Sequence, residues 1–323
     1  EDRVGNIKAT GDVRLRYLQS GKNDEKTSTD DYAYGKKSKF DMRGRVQFNA
    51  KVNDNTSAVI RVTSGDIEFG DASATGKGTA SIDRVYVQHK FGNNVTATAG
   101  RYQQMIGAGL AFDDTFDGAQ LNVGNEKVNF QAAYGYAIKN VGVDTDKNHT
   151  IVYTGLNGKL GSATNVGGFW ARINGEENNV EINNGFKTVN LKNVNVYGFN
   201  AETNYKKVWL GGEWLKASSV ENSTAWVAGI GYGAYDQSKA GTWDVKAQYF
   251  HQDENAPILS STWNQAYDLT NSSNGYKGWM ATVDYALSNN VGLSAYYGFD
   301  SKETGKNGKD LSDFYRAELN YKF

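Results

Sequence analysis

The sequence predicts an all-β fold, a transmembrane antiparallel β-barrel of about sixteen strands. Three observations carry this. Side chains alternate apolar and polar along nearly the whole chain, and a strand points successive side chains to opposite faces. The connections alternate short and long, the arrangement of periplasmic turns and extracellular loops. The composition combines 20 Tyr, 14 Phe and 7 Trp with a mean hydropathy of -0.62. Many rings with few aliphatic runs suits a barrel whose aromatics form girdles at both membrane interfaces.

The elements follow in order. Segment 7–20 places Ile7, Ala9, Val13, Leu15 and Tyr17 on one face and Lys8, Thr10, Asp12, Arg14 and Arg16 on the other. Segment 40–52 repeats this, with Phe40, Met42, Val46, Phe48, Ala50 and Val52 against Asp41, Arg43, Arg45, Gln47, Asn49 and Lys51. Further strands are expected at 57–67, 80–91, 95–102, 118–124, 127–138 and 149–156. The second half adds 166–174, 194–205, 207–217, 224–235, 242–252, 276–287, 291–300 and 311–323. In the last, Tyr315, Ala317, Leu319, Tyr321 and Phe323 share one face. Short turns fall at 53–55, 92–94, 125–126 and 288–290. Long loops fall at 21–37, 68–79, 103–117, 176–192, 253–275 and 301–310. Residues 1–6 are expected to be the remnant of a preceding segment or linker, and 7–323 a single barrel domain.

Several function classes recede. A formal net charge of -1 gives no electrostatic footprint for nucleic acid. The chain has no cysteine, so disulfides and thiolate metal sites are excluded. His89, His149 and His251 are scattered, and no nucleophile elbow or phosphate loop occurs. Asp113-Asp114 matches no EF-hand spacing. No enzyme activity and no cofactor are expected.

The chemistry-bearing residues are charges on the polar face. Arg14, Arg16, Arg43, Arg45, Arg61 and Arg84, out of ten arginines, fall on the inward face of the first four strands and should form one basic wall. A guanidinium stays charged at any relevant pH. The later strands carry inward acids, Glu202, Glu213, Asp244, Asp284 and Glu318. Loop 103–117 holds Met105, Ile106, Leu110, Ala111 and Phe112, an apolar stretch that suggests a loop tucked inside; the alternative is an external loop with a solvated acidic tip. Tyr86, Trp170, Trp209 and Tyr296 have inward parity but are dispersed.

With these elements placed, the chain resembles the trimeric general porins of bacterial outer membranes. The resemblance rests on Ala99-Gly100-Arg101-Tyr102, on the Gly-containing stretch from there to Phe116-Asp117-Gly118, and on the terminal Tyr321-Lys322-Phe323. A closer likeness is to the barrel of OmpM-type porins of diderm Firmicutes. The resemblance implies that 103–117 is an inward-folded constriction loop whose Asp113, Asp114 and Asp117 face the arginines. It also implies that Arg101 joins the basic wall, which by parity needs a bulge near Gly100. Tyr321 and Phe323 are then the signal for the barrel-assembly machinery. Implied partners are outer-membrane lipid, lipopolysaccharide, a homotrimer and small hydrophilic solutes. Peptidoglycan would be reached only through an N-terminal domain not in this chain. The leading function is a passive diffusion channel. The alternatives are a structural anchor, a sugar-specific porin and a soluble adhesin.

Overall fold

A computed structural model describes residues 5–20, 38–70, 80–138, 149–175, 177–182, 187–261, 274–305 and 308–323. Sixteen antiparallel strands close into one barrel. They are β1 (Ile7–Ser20), β2 (Lys39–Lys51), β3 (Thr56–Thr63), β4 (Ser81–Phe91), β5 (Val95–Ile106), β6 (Phe112–Gly124), β7 (Val128–Ala137) and β8 (Thr150–Leu160). The circuit continues through β9 (Thr164–Asn174), β10 (Asn193–Tyr205), β11 (Val208–Ala217), β12 (Thr224–Gly233), β13 (Trp243–Gln252), β14 (Tyr276–Ser288), β15 (Val291–Lys302) and β16 (Phe314–Lys322). Ile67–Glu68 resumes the line of β3 beside β2 after a bend at 64–66. A separate hairpin pairs Val180–Ile182 with Lys187–Val189. Loop 21–37 and the centres of the other long loops, at 71–79, 183–186, 262–273 and 306–307, lie outside the described residues, as does 1–4.

Closure comes from β1 pairing with both β2 and β16, in register from Asp12↔Lys322 to Ser20↔Phe314. Gly11 and Phe323 exchange both backbone hydrogen bonds, at 2.9 and 3.0 Å. Among the described residues the sixteen-stranded sheet has no free edge to template aggregation. Gly11 has no Cβ where the Phe323 ring lies, and one would fall 2.4 Å from it.

The outward positions make a membrane surface. Phe91, Phe130, Tyr205, Tyr232, Trp243, Tyr285 and Phe323 are exposed around the short-turn end, and Phe40, Phe69, Tyr134, Tyr136, Tyr197, Trp279 and Tyr315 around the other. Between the girdles lie exposed aliphatics such as Ile60, Val87, Leu121, Ile230 and Val283. In water such a surface would aggregate; in a bilayer it is the lipid contact.

The interior is not uniformly polar. Inward residues near the long-loop end, among them Ile151, Tyr153, Phe169, Leu215, Phe250, Tyr276 and Met280, form a buried apolar cluster with Ile106, Leu110, Phe112, Ile258 and Leu259. The structure corrects the expectation of a loop at 103–117. Strand pairing runs unbroken from Val95↔Val123 to Ile106↔Phe112, so only 107–111 form the turn. The apolar stretch broke the alternation because its residues pack against other elements inside the barrel.

Candidate functional site in the barrel lumen

The basic wall forms on the inner face of β1–β4, and it brings its own counter-ions. Arg16 Nη2 lies 2.6 Å from Asp41 Oδ2 and 3.2 Å from Asp66 Oδ2. Arg14 Nη2 is 2.5 Å from Asp66 Oδ1. Asp12 bridges Arg45 at 2.9 Å and Arg43 at 3.7 Å. Arg61 meets Asp83 at 2.7 Å, and Arg84 bonds the Thr115 hydroxyl. Arg14 stands directly across from Arg43, and Arg61 from Arg84. Such juxtaposition of like charges is destabilising in an exposed sheet; here the interleaved carboxylates offset it. The pairing of β3 with β4 slips after Arg61↔Arg84, and Val62 faces Ile82. This bulge leaves Asp83 unpaired and turns it inward beside Arg84. Asp12 and Asp41 could have been found as partners because they share the arginines' parity. Asp83 needed the bulge, and Asp66 lies on the bend after β3.

The β5–β6 hairpin bends inward, and its tip is held by the opposite side of the lumen. Glu213, on β11 and nearly fully buried, accepts the Ala108 N–H at 3.1 Å and the Leu110 N–H at 3.2 Å. The Gly107 N–H points to the Tyr153 hydroxyl at 3.3 Å. Gly107 has φ +60°, and a Cβ there would sit 2.4 Å from Glu213 Oε1. The segment after β13 holds the hairpin from another side: Leu259 N–H donates to the Ala111 carbonyl at 2.8 Å, and Asp113 N–H to the Ser260 carbonyl at 2.8 Å.

The three aspartates of 103–117 separate. Asp114 accepts the Ser260 hydroxyl at 3.0 Å and acts electrostatically on Arg84. Asp113 accepts from Gln103 at 2.6 Å. Asp117 leaves the lumen altogether: it forms a two-pronged ion pair with Arg101, both contacts 2.6 Å. That pair sits on the outward face, Arg101 being registered with exposed Val85. No bulge occurs at Gly100, where β4–β5 pairing is continuous. Gly100 is required for another reason: it has φ +124°, and a Cβ would fall 2.3 Å from the Val85 carbonyl oxygen. Arg101 and Asp117 are therefore removed from the basic wall and the constriction acids, because strand parity prevails.

The inward acids stand on the lumen face. Glu318 pairs with Arg316 at 2.7 Å. Asp244 lies opposite Asp284, which accepts the Ser294 hydroxyl at 2.5 Å. Glu202 accepts from Asn165 at 3.1 Å and from the Trp209 indole at 3.3 Å. Around it the wall is built of amides and glycines. A ring of hydrogen bonds near 3.0 Å joins Gln104, Gln120, Asn122 and Gln131. Sequence reasoning missed this neutral wall. Trp170, expected inward, is registered with exposed Tyr197 and faces lipid. Among the described residues no cluster of three or more His, Asp or Glu is placed to hold a metal.

Tyr321 and Phe323 end the chain on the outward face, Tyr321 opposite Val13. No family profile and no curated protein matches this sequence. Solved structures do match. A mutant of the Rh. blastica porin superposes with TM-score 0.60 at 11% identity, covering 98% of this chain and 100% of its own. A triple mutant of the Rhodopseudomonas blastica porin gives TM-score 0.60 at 10% identity over the same shares. At such identity the likeness is one of architecture, and the architecture of this chain is the sixteen-stranded barrel of bacterial porins.

Proposed function

We propose that the protein is an outer-membrane porin, a passive diffusion channel for small hydrophilic solutes and ions, with residues 7–323 as its single channel domain. The observation that carries this is the β5–β6 hairpin, seated inside a closed, lipid-facing barrel and fastened to Glu213. A hairpin held across the lumen narrows the passage without sealing it, and the arginine–aspartate wall facing the opening sets its field. Arg14, Arg16, Arg43, Arg45, Arg61 and Arg84, with Asp114 and the inward acids, are the pore-lining charges in this reading. The test is single-channel recording in a planar bilayer. Discrete ohmic steps with weak ion selectivity are expected; absence of steps from correctly folded protein would exclude a channel.

The assembly is a homotrimer. Small outward residues on β5 and β6, Ala97, Ala99 and Ala119, allow barrel walls to approach closely, and the Arg101–Asp117 pair lies on the same face. Mass measurement in mild detergent checks this, and one barrel per particle would refute it. Lipopolysaccharide and outer-membrane lipid contact the girdles, and Tyr321 with Phe323 addresses the chain to the barrel-assembly machinery. A second reading, favoured by the sequence resemblance to OmpM-type porins, gives the barrel an anchoring duty through a peptidoglycan-binding segment outside these residues. Co-sedimentation of the full-length protein with cell-wall sacculi tests it.

A further inference from the structure

One stretch of the lumen keeps opposite charges apart. On the ionic wall Asp12, Asp41, Asp66 and Asp83 each lie against an arginine. Beneath the hairpin tip, Lys159 on β8 and Glu202 on β10 are separated by Asn165 of β9, which is registered with both. Neighbouring strands lie about 4.8 Å apart, so the two backbones stand roughly 10 Å from each other. Among the described residues neither side chain enters a salt bridge. The Glu202 carboxylate is held by neutral donors only: Asn165 Nδ2 reaches one oxygen at 3.1 Å and the Trp209 Nε1–H the other at 3.3 Å. Each oxygen keeps capacity to accept again.

One lumen position nearer the hairpin, Asn157 of β8 and Asn200 of β10 flank Gly167 of β9 in the same way. A Cβ on Gly167 would fall 2.3 Å from Asn157 Oδ1 and 2.9 Å from Asn200 Nδ2, so both amides lean over it. Gly167 has no positive φ, and its backbone does not demand glycine. What the absent side chain leaves is a notch between two amides. Among the described residues neither amide is hydrogen-bonded to the protein, whereas Gln104, Gln120, Asn122 and Gln131 satisfy one another. The two amides and the two charges line a cavity of about 480 Å³, which Gly107 and Ala108 of the hairpin tip also line. That volume falls within the roughly 300–1,000 Å³ of small-molecule sites.

We infer that this cavity is a lumenal subsite for short zwitterionic peptides. The Lys159 ammonium suits a terminal carboxylate and the Glu202 carboxylate a terminal ammonium, each through a charge-assisted hydrogen bond. A peptide group carries one N–H donor and one C=O acceptor. A carboxamide offers the complement of both, so Asn157 and Asn200 take the backbone between the termini. A fully extended tripeptide spans about 10 Å, which matches the separation of the charged positions. A simple ion satisfies only one of the two charges, and an uncharged polyol satisfies neither.

The inference rests on the channel reading, and two readouts separate them. Saturation-transfer NMR on the detergent-solubilised barrel reads binding without current, with triglycine as probe and its N-acetylated, C-amidated form as the uncharged control. Transfer to the triglycine methylene protons is expected, with little to the capped peptide. Lys159→Gln and Glu202→Gln should each weaken triglycine binding about fivefold, the factor that one unit-charge contact supplies in water. Gly167→Ala keeps both charges and should weaken binding by filling the notch. All three variants should keep the heat-modifiable gel mobility of a closed barrel, since each leaves the strand ladder intact. Bilayer recording then reads triglycine-induced interruptions of the current. Saturation transfer without conductance would overturn the channel and keep the subsite. Conductance without transfer, equal transfer to the capped peptide, or unchanged binding in any of the three variants would overturn the subsite.

Discussion

The two sides of the lumen are built on different principles. From β1 to β4 the wall is ionic, and four of its six arginines have a carboxylate within 2.9 Å on the same side: Asp66 for Arg14, Asp41 for Arg16, Asp12 for Arg45 and Asp83 for Arg61. From β7 to β12 it is mainly amide, with Asn129, Asn157, Asn165 and Asn200 among glycines, Lys159 and Glu202 as charges of opposite sign, and Glu213 turned to the hairpin. The difference teaches where the field comes from. An arginine wall facing acids on a loop would polarise the whole passage. Here the charges are interleaved side by side, so the field is steep near one wall and fades toward the other. Charge acts from one side, and short-range contact from the other.

The largest effect is expected where the hairpin meets the neutral wall. Glu213→Ala removes two hydrogen bonds to a carboxylate, each worth about 1.5–3 kcal/mol, those donated by the Ala108 and Leu110 amides. Conductance should rise with added noise, and hydrogen exchange at those amides should accelerate. Unchanged current and exchange would mean that the segment at 256–260 holds the tip alone.

Next comes a direct contrast between the walls. Arg43→Ala with Arg45→Ala should shift reversal potential toward cations, by up to about fivefold in permeability ratio. That is the Boltzmann factor of the ~1 kcal/mol between unit charges 4 Å apart in water. Asn157→Ala with Asn200→Ala should leave it in place. The arginine effect should shrink at 1 M salt, where the Debye length is about 3 Å. Equal shifts from both pairs would erase the distinction.

A smaller effect concerns Asp66, on the bend after β3. Asp66→Asn removes the carboxylate that lies 2.5 Å from Arg14 and 3.2 Å from Arg16 and should turn reversal potential toward anions at neutral pH. An unchanged reversal potential would mean that Asp66 does not border the passage.

The smallest effect on current is expected outside both walls. Deleting Phe323 should lower the amount of assembled barrel, read by membrane fractionation, while the surviving channels conduct normally. Normal levels with altered current would place the terminal ring in the lumen's affairs after all.

Alternation made the barrel legible, because lipid and water impose opposite demands on adjacent residues. The charged positions Arg14, Arg43, Arg61, Glu213 and Glu318 followed directly from it. It stopped being informative where side chains meet protein on both sides. The stretch from Met105 to Phe112 looked like a loop since Ile106, Leu110 and Phe112 pack inside. For Arg101, parity pointed outward and the resemblance inward, and the register agrees with parity. Asp83 was invisible because a bulge shifts phase by one residue. The amide ring was invisible for another reason: Gln104, Gln120, Asn122 and Gln131 meet only once the strands are in register.

The seam between β1 and β16 has a consequence for how the chain is made. Its first strand cannot be satisfied until its last residues exist, since Gly11 bonds to Phe323. The closing contacts span almost the entire sequence, which makes their loop-closure entropy large and their formation late. Until then the nascent protein carries two open ladders and a surface of exposed rings, the attributes of an aggregation-prone intermediate. A holding factor between synthesis and insertion is thus a physical demand of this topology. A chain stopped before β16, and so without the whole closing ladder from Asp12↔Lys322 to Ser20↔Phe314, should be lost to proteolysis before it is ever tested as a pore.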